Sequence, residues 1–334
     1  MTQYGACILS SDGPRLSQDE KSLFREMNPF GFILFSRHIE TPDQVRALCA
    51  EFRDAVGREC LITVDQEGGR VQRLRGPEWR EWQPPLDHIA AATDPSRAMY
   101  LRARLMADEL RAIGLDSNCI PTLDVVTADT HPFLRNRCYG DDPTQIAALG
   151  RATANGLLDG GVLPVMKHIP GHGRSHLDTH FDLPTVDVSL DELTTSDFAP
   201  FHALRDIPMG MTAHLVVSKL DTRPSTLSPV MIDHIRKTLG FEGLLMTDDI
   251  SMKALSGTLA DRTKAAVAAG CDVVLHCNDS FHDRVAVAHA AGEMSEAAQT
   301  RAIAAEAARK TPDAIDIPAI EAELETLLGG QVYV

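Results

Sequence analysis

Short apolar runs alternate with amphipathic segments along most of this chain. The apolar runs are rich in aliphatic and β-branched residues, and they have the length of strands that are buried on both faces, as in a parallel sheet. The runs predicted as strands are Gly5–Ser10, Gly31–Phe35, Cys60–Asp65, Ser117–Val125, Gly161–His168, Met209–Val217, Leu244–Asp249 and Cys271–His276.

Between these runs, apolar residues recur at the three- or four-residue spacing of helices. Some of the segments begin at a capping signal, such as Asp142-Pro143, and others end at a glycine, such as Gly114. The predicted helices are Ser17–Glu26, Pro42–Val56, Pro95–Ile113, Pro143–Asp159, Leu190–Leu204, Pro229–Lys237, Asp261–Ala269 and Glu296–Arg309.

Strands that alternate with helices in this way predict an α/β protein with a single (β/α)8 barrel of the TIM type. No linker rich in serine, proline or glycine divides the chain, so we expect one domain over residues 1–334. Residues 311–328 are expected to form an extra helix outside the barrel. A doubly wound open sheet is the alternative, because the strand pattern alone does not show whether the sheet closes.

Polar residues at the ends of the apolar runs favour the barrel. In a barrel, the carboxyl ends of the strands and the loops after them converge on one face, where active sites lie. The charged or imidazole side chains at these positions are Asp65, Asp124, Lys167, His168, His214, Asp248, Asp249 and His276.

Composition narrows the possible partners and the compartment. The chain has 32 Lys and Arg against 47 Asp and Glu, and this net charge of −15 argues against nucleic acid or an anionic membrane as a partner. Cysteines without a CxxC pair are typical of free thiols in a reducing compartment. The first residues lack the features of a secretory signal, and no apolar run reaches the roughly 18 residues of a membrane span. We therefore expect a cytoplasmic protein.

The segment Lys167–His180 contains a row of histidines spaced four residues apart. Pro170, Gly171 and Gly173 disfavour the helix on which this spacing would matter, because proline lacks an amide donor and glycine loses much backbone entropy. The segment is therefore predicted to be a strand end that opens into a glycine-rich loop.

Three interpretations of this loop remain open: a polar loop with incidental histidines, a metal site, or an acid/base site. In the acid/base interpretation, Asp178 and His180 face the same side of an extended segment, so that the carboxylate orients the imidazole and raises its pKa. Lys167 disfavours a metal cation nearby. The side chains that could bind a metal are His168, His172, His176, Asp178 and His180.

Arginines and carboxylates also cluster after two other strands. The glycine pair after Glu67 lets the chain turn sharply, which leaves Asp65 at a strand tip with Arg73 nearby to contact an oxygen-rich ligand. Alternation along the strand of Leu244–Asp249 places Asp248 on the face of the pocket, while Asp249 supports or caps the next segment of the chain. The alternatives are a structural Asp–Arg network at the rim and a helix-capping pair of aspartates.

Segments in order along the chain resemble glycoside hydrolase family 3, specifically its single-domain bacterial β-N-acetylhexosaminidases. The pairing of KH-x-PGHG with D-[ST]-H is specific to this branch, whereas other members carry a carboxylate acid/base in a second domain. The matching segments are VDQEGGRVQR (64–73), RNRCYGDDP (135–143), KHIPGHG with DTH (167–180), MTAH (211–214) and LLMTDDISM (244–252).

The resemblance implies that Asp248 is the nucleophile and that His180, paired with Asp178, is the general acid/base. It implies a retaining exo-β-N-acetylglucosaminidase that acts on 1,6-anhydro-N-acetylmuramic acid fragments during cell-wall recycling. We expect a monomer that acts on a saccharide or muropeptide and needs no metal or cofactor. The alternatives are a metal-dependent hydrolase with ligands from the histidine loop and a sugar-binding protein without catalysis. The residues implied to hold the terminal sugar are Asp65, Arg73, Arg137, Lys167 and His168.

Overall fold

Parallel strands form the centre of the molecule. The computed structural model describes residues 3–175, 183–278, 280–330 and 332–333. Two short strands, Thr185–Val186 and Val216–Val217, pair with each other in parallel. The remaining strands are β1 (Gly5–Leu9), β2 (Pro29–Leu34), β3 (Leu61–Val64), β4 (Ser117–Asn118), β5 (Leu163–Ile169), β6 (Met209–Thr212), β7 (Leu244–Met246) and β8 (Val274–Leu275).

Backbone hydrogen bonds join these eight strands into a ring. Parallel pairing links β8, β1, β2 and β3 in that order, and it links β4, β5, β6 and β7. The amide of Cys119 donates to the carbonyl of Val64 over 2.9 Å and connects β3 with β4. A parallel bridge between Met246 and Val273 connects β7 with β8. The ring is closed, so the predicted (β/α)8 barrel is confirmed and the open sheet is wrong.

Helices come after the strands and surround them. Within the described residues they are α1 (Gln18–Met27), α2 (Pro42–Val56), α3 (Pro85–Ala91), α4 (Pro95–Ala112), α5 (Pro132–Arg135), α6 (Pro143–Asp159), α7 (Leu190–Thr195), α8 (Ala199–Ala203), α9 (Pro229–Lys237), α10 (Leu259–Ala269), α11 (Phe281–Ala291), α12 (Glu296–Ala307) and α13 (Ile317–Leu327). Single 3₁₀ turns lie at Ser36–His38 and Ser225–Leu227.

Helix starts obey capping chemistry that is visible in the sequence. The side chain of Ser17 accepts from the amide of Glu20, and the Glu20 carboxylate accepts from the amide of Ser17, which closes a capping box at α1. Thr41 and Asp142 accept from first-turn amides of α2 and α6, and each precedes a proline at the first helical position.

The structure departs from the predicted elements where proline or a weak apolar stripe intervenes. The predicted helix Leu190–Leu204 is divided into α7 and α8, because Pro200 lacks an amide donor and restricts the residue before it. The predicted strand Ser117–Val125 is regular only in β4, since Pro121 cannot donate to the sheet. Helix α11 was not predicted, because its alanines and valines lie around most of the helix rather than along one stripe.

Aromatic packing and one close helix contact attach the outer layer to the barrel. The ring of Phe32 in β2 stacks on Phe52 of α2 at 4.1 Å and meets the edge of Phe24 of α1 at 4.8 Å. All three rings are buried. Between α4 and α6, Gly156 lies so close to the carbonyl of Tyr100 that a Cβ atom would clash, so glycine is required there.

Charged residues at the amino ends of the strands are paired with one another. Asp272, before β8, accepts from Arg236 at 2.6 Å and from Arg301 at 2.6 Å. Asp116, before β4, accepts from Arg309 at 2.7 Å. These pairs tie α9 and the segment around α12 to the barrel and have a structural role. No helix in the described part of the chain is both long and apolar enough to span a membrane.

The last part of the chain packs back against α4 and the loop after β3. Arg97 of α4 donates two hydrogen bonds to Glu323 of α13, over 2.6 and 2.8 Å. The Tyr333 ring meets the Trp82 ring edge-on, with 5.3 Å between centroids. Trp82 lies in the same loop as two of the predicted sugar-binding residues, so the end of the chain supports that loop.

Candidate active site

A pocket of about 350 Å³ lies at the carboxyl ends of the barrel strands. The structure brings together in its lining Asp65, Arg73, Arg137, Lys167, His168 and Asp248. Asp178 and His180, the predicted acid/base pair, lie outside the described residues, as does His176.

Lys167, in β5, links two carboxylates from the loop after β3. Its Nζ lies 2.8 Å from Asp65 Oδ1 and 2.6 Å from Glu67 Oε1. Arg73 Nη2 lies 3.2 Å from Asp65 Oδ2. Lys167 is buried, whereas the Asp65 side chain is 17% exposed. Asp65 therefore presents carboxylate oxygen to the pocket while it is held between two cations.

Glu67 is a member of this cluster that was not singled out from the sequence. Its two carboxylate oxygens accept from Arg137 Nε and Nη2, each over 2.8 Å. The side chain is fully buried. The available signal was an acidic residue directly before a glycine pair, because such a turn can aim a side chain back toward the strand ends.

Ion pairing fixes the charges of this cluster. Burial alone would raise the pKa of Asp65, but Lys167 and Arg73 lower it well below its usual value. Burial also favours neutral Glu67, yet Arg137 and Lys167 lower its pKa to about 2. Burial would lower the pKa of Lys167, but Asp65 and Glu67 raise it instead. All three groups are therefore charged at neutral pH.

His168 is oriented by Asp124, a strand-end residue that was given no binding role from the sequence. His168 Nδ1 lies 2.7 Å from Asp124 Oδ2, and the amide of His172 donates to Asp124 Oδ1 over 2.6 Å. Burial would raise the pKa of Asp124, but His168 and His172 lower it to about 2. Since Nδ1 is engaged, Nε2 is the ring nitrogen of His168 that can serve a ligand.

His172 lines the pocket as a neutral group. Its ring lies edge-on to the His168 ring, with 5.8 Å between centroids. Burial, more than any neighbouring charge, lowers its pKa to about 4. The sequence suggested His172 only as a possible metal ligand, and its backbone contact with Asp124 shows that it helps to shape the start of the loop.

Asp248 lies two residues after the end of β7. Its Oδ1 accepts from the amide of Asp249 over 2.8 Å. Burial alone would raise its pKa, but the imidazoles of His168 and His214 lower it below the usual value. An ionised carboxylate in a pocket of this size is suited to attack an electrophilic carbon.

Asp249, which also lines the pocket, and His214 hold the backbone around Asp248 in place. The Asp249 carboxylate accepts from the amide of Cys277 over 3.1 Å and from Asn278 Nδ2 over 3.2 Å, which ties the loops after β7 and β8 together. His214 Nε2 lies 2.9 Å from the Asp249 carbonyl, and its Nδ1 lies 2.8 Å from Thr226 Oγ1. Asp249 thus connects the loops around the site, and because it lines the pocket together with Asp248, the division of tasks between the two aspartates stays a prediction.

The metal hypothesis involves residues that the structure does not describe. Among the described residues, no three His, Cys, Asp or Glu side chains are grouped as metal ligands. The predicted ligand set also includes His176, Asp178 and His180, which lie outside those residues.

Replacement of Asp124 by Asn should make the free energy of unfolding fall less steeply as the pH is lowered. The pKa of Asp124 is about 2 in the folded protein and 3.8 when unperturbed. The ionised carboxylate therefore stabilises the fold fully above about pH 4, and this stabilisation is lost as the pH falls through about 2. A shift of this size corresponds to about 2 kcal/mol. Urea unfolding at a series of pH values should show a lower free energy of unfolding for Asp124→Asn at neutral pH and a smaller further loss in acid.

The matched control for that experiment is Asp54→Asn, which changes an exposed aspartate of α2. This variant should match the wild type at every pH. If the free energy of unfolding of Asp124→Asn fell in acid as steeply as that of the wild type, the assigned role of Asp124 would be contradicted.

Comparison with known proteins places this site in a family. The Glycosyl hydrolase family 3 N terminal domain matches residues 4–309 of the chain. A β-hexosaminidase of Methylococcus capsulatus is 39% identical over 272 residues, which cover 80% of each chain. A β-hexosaminidase of Pseudomonas aeruginosa is 36% identical over 291 residues, which cover 85% of this chain and 86% of the relative.

Solved structures show the same similarity in three dimensions. The structure of NagZ from Neisseria gonorrhoeae in complex with zinc ion has a TM-score of 0.84 at 27% identity, with 98% of each chain covered. A family 3 β-N-acetylglucosaminidase from Paenibacillus sp. has a TM-score of 0.86 at 27% identity, with 96% of this chain and 67% of that chain covered. The predicted resemblance is confirmed: the chain belongs to glycosyl hydrolase family 3 and is a glycoside hydrolase of the same branch as these β-hexosaminidases.

Proposed function

We propose that the chain is a retaining exo-β-N-acetylglucosaminidase in which Asp248 is the nucleophile. The observation that carries this proposal is an ionised carboxylate in a pocket that is also lined by the Asp65–Lys167 pair and by His168. The β-hexosaminidase relatives and the β-N-acetylglucosaminidase from Paenibacillus support an acetamido sugar as the substrate.

The proposed reaction has two displacement steps. The Asp248 carboxylate attacks the anomeric carbon as the bond to the leaving-group oxygen breaks, and His180, oriented by Asp178, donates a proton to that oxygen. Water then attacks the anomeric carbon of the glycosyl–Asp248 ester, His180 accepts the proton of the water, and Asp248 leaves as a carboxylate. The histidine takes the role that a second carboxylate has in most retaining glycosidases.

The charged groups around the nucleophile would hold the terminal sugar. Lys167, Arg73 and Arg137 offer several donors in fixed positions, which suits neighbouring hydroxyls and the carbonyl of an acetamido group. Asp65 would accept from a sugar hydroxyl through the part of its carboxylate that is exposed. His168 would contribute Nε2, because its other ring nitrogen contacts Asp124.

Cations and aromatic rings at the mouth of the pocket favour a leaving group that is a sugar with a negative charge. In the lining, Arg70 lies 3.1 Å from the centroid of the Phe133 ring. Arg37 is outside the lining but donates to the lining residues Asn278 and Cys277, and it lies 5.1 Å from the centroid of the Phe35 ring. Rings of this kind pack against sugar faces, and the cations favour a carboxylate. We therefore propose 1,6-anhydro-N-acetylmuramic acid, bare or peptide-bearing, as the leaving part. Under this proposal a monomer without a cofactor recycles wall fragments in the cytoplasm.

The wild type should prefer an acetamido sugar strongly. The value of kcat/KM for 4-nitrophenyl β-N-acetylglucosaminide should exceed that for the β-glucoside by about 100-fold or more, because donors built for an amide are left unpaired when it is missing. Initial rates measured by released nitrophenol provide the test. Comparable values for the two substrates would contradict the proposed substrate class.

A covalent intermediate should form on Asp248. Treatment with 5-fluoro-N-acetylglucosaminyl fluoride should label one peptide, and tandem mass spectrometry should place the sugar on Asp248. Asp248→Asn should fold with an unchanged melting temperature within a few degrees and lose about 10³-fold or more in kcat. Label on Asp249 would refute the choice of nucleophile, and sugar binding without label or turnover would favour a non-catalytic binding protein.

His180→Ala should lose far more activity on natural disaccharides than on substrates with good leaving groups. A good leaving group departs without protonation, so only the natural substrate needs the acid. The matched control is His168→Ala, which removes a proposed sugar-binding imidazole and should reduce both activities by similar factors. Equal losses in His180→Ala on the two substrates would exclude His180 as the acid.

A further inference from the structure

We infer that Glu67 is a positioning residue that aligns Lys167 and Arg137 for the sugar. Glu67 Oε1 receives hydrogen bonds from both cations, from Lys167 Nζ over 2.6 Å and from Arg137 Nη2 over 2.8 Å. Its other oxygen accepts from Arg137 Nε over 2.8 Å. One carboxylate therefore sets the distance and orientation between two donors that come from the loop after β4 and from β5.

Glu67 acts through these cations and has no contact with the pocket. Lys167, Arg137 and Asp65 line the pocket, but Glu67 is not among the lining residues. Its side chain is fully buried behind them. Of the two carboxylates that pair with Lys167, Asp65 can thus reach a ligand, whereas Glu67 can only hold the groups that do.

The backbone around Glu67 is held from the outside of the barrel. Arg102 of α4 donates through Nη2 to the carbonyls of Glu67 and Gln83, over 2.6 and 2.7 Å. The same nitrogen would lie only 2.0 Å from a Cβ atom at position 68, so only glycine leaves room for it. The amide of Glu67 also donates to the carbonyl of Val71 over 2.9 Å. The backbone of Glu67 is therefore held in place, which allows its side chain to orient Lys167 and Arg137.

Loss of the carboxylate would leave two neighbouring cations without their common anion. Like charges at this distance repel each other, and each would move toward Asp65 or toward solvent. The charge on Lys167 would also be stabilised less, because Glu67 is one of the two carboxylates that raise its pKa. Misplacement of binding groups by about 1 Å can cost about 100-fold in rate.

The test compares Glu67→Gln with Glu67→Asp, and it relies on the proposed function for its substrate. Glu67→Gln should lower kcat/KM on the chromogenic β-N-acetylglucosaminide by about 100-fold. The loss should be mainly a rise in KM, and the inhibition constant of N-acetylglucosamine should rise with it. Glu67→Asp keeps the charge and should recover at least about tenfold of the loss.

The matched control is Glu20→Gln, which removes another buried glutamate that pairs with an arginine. Glu20 Oε1 accepts from Arg284 Nη1 over 3.2 Å, and neither residue lines the pocket. This variant should lower the melting temperature with little change in KM. A Glu67→Gln protein that loses stability but keeps the wild-type KM and inhibition constant would overturn the inference.

A double-mutant cycle covers the case in which Glu67→Gln folds poorly. Arg137→Lys keeps the positive charge but cannot form the two-donor contact with a carboxylate. Its effect on KM should be much smaller in the Glu67→Asp background than in the wild type, because the paired geometry is already disturbed. Additive effects would overturn the inference. A wild type without activity on the acetamido sugar would instead contradict the proposed function.

Discussion

The pairing of buried charges at the carboxyl ends of the strands is the constraint on which the candidate site depends. Taking a lysine, an arginine and two carboxylates largely out of water costs several kcal/mol for each ion unless each has a partner in good geometry. Lys167 meets this condition through Asp65 and Glu67, and Arg137 meets it through a two-donor contact. Each group is thereby held both charged and in place, so the site has little left to reorganise when a polar ligand enters.

The two ends of the barrel use ion pairs for different purposes. At the amino ends, Asp272 and Asp116 bind arginines from the outer helices and fasten one layer to the other. At the carboxyl ends, the pairs join loops to strands and leave at least one member of each pair facing the pocket. The same interaction thus stabilises the fold at one end and keeps donors and acceptors ready at the other, as is general for barrels of this type.

Sequence patterns predicted the barrel and several of the charged side chains that meet in the pocket, because both depend on local features. Strand ends are visible as polar residues after apolar runs, and parallel strands bring those ends together wherever they fall in the chain. Glu67 was missed because its orientation depends on Arg102, which is 35 residues away and lies in α4. Asp124 was seen as a strand end, but its role depends on contact with His168, which only the folded register reveals. Helix α11 lacked a clear apolar stripe, so periodicity did not show it.

Closure of the ring has a consequence for how the protein is made. Cys7 and Ile8 in β1 pair with Val274 and Leu275 in β8, so the first strand gains its second neighbour only after nearly all of the chain has left the ribosome. Until then, β1 is an edge strand with unpaired backbone groups. The pocket wall near Cys277 also depends on this pairing, because Ser10 Oγ, just after β1, donates a hydrogen bond to the Cys277 carbonyl, just after β8. A nascent chain without β8 therefore lacks this part of the pocket wall, and the pocket is complete only when the first and last strands of the barrel have paired.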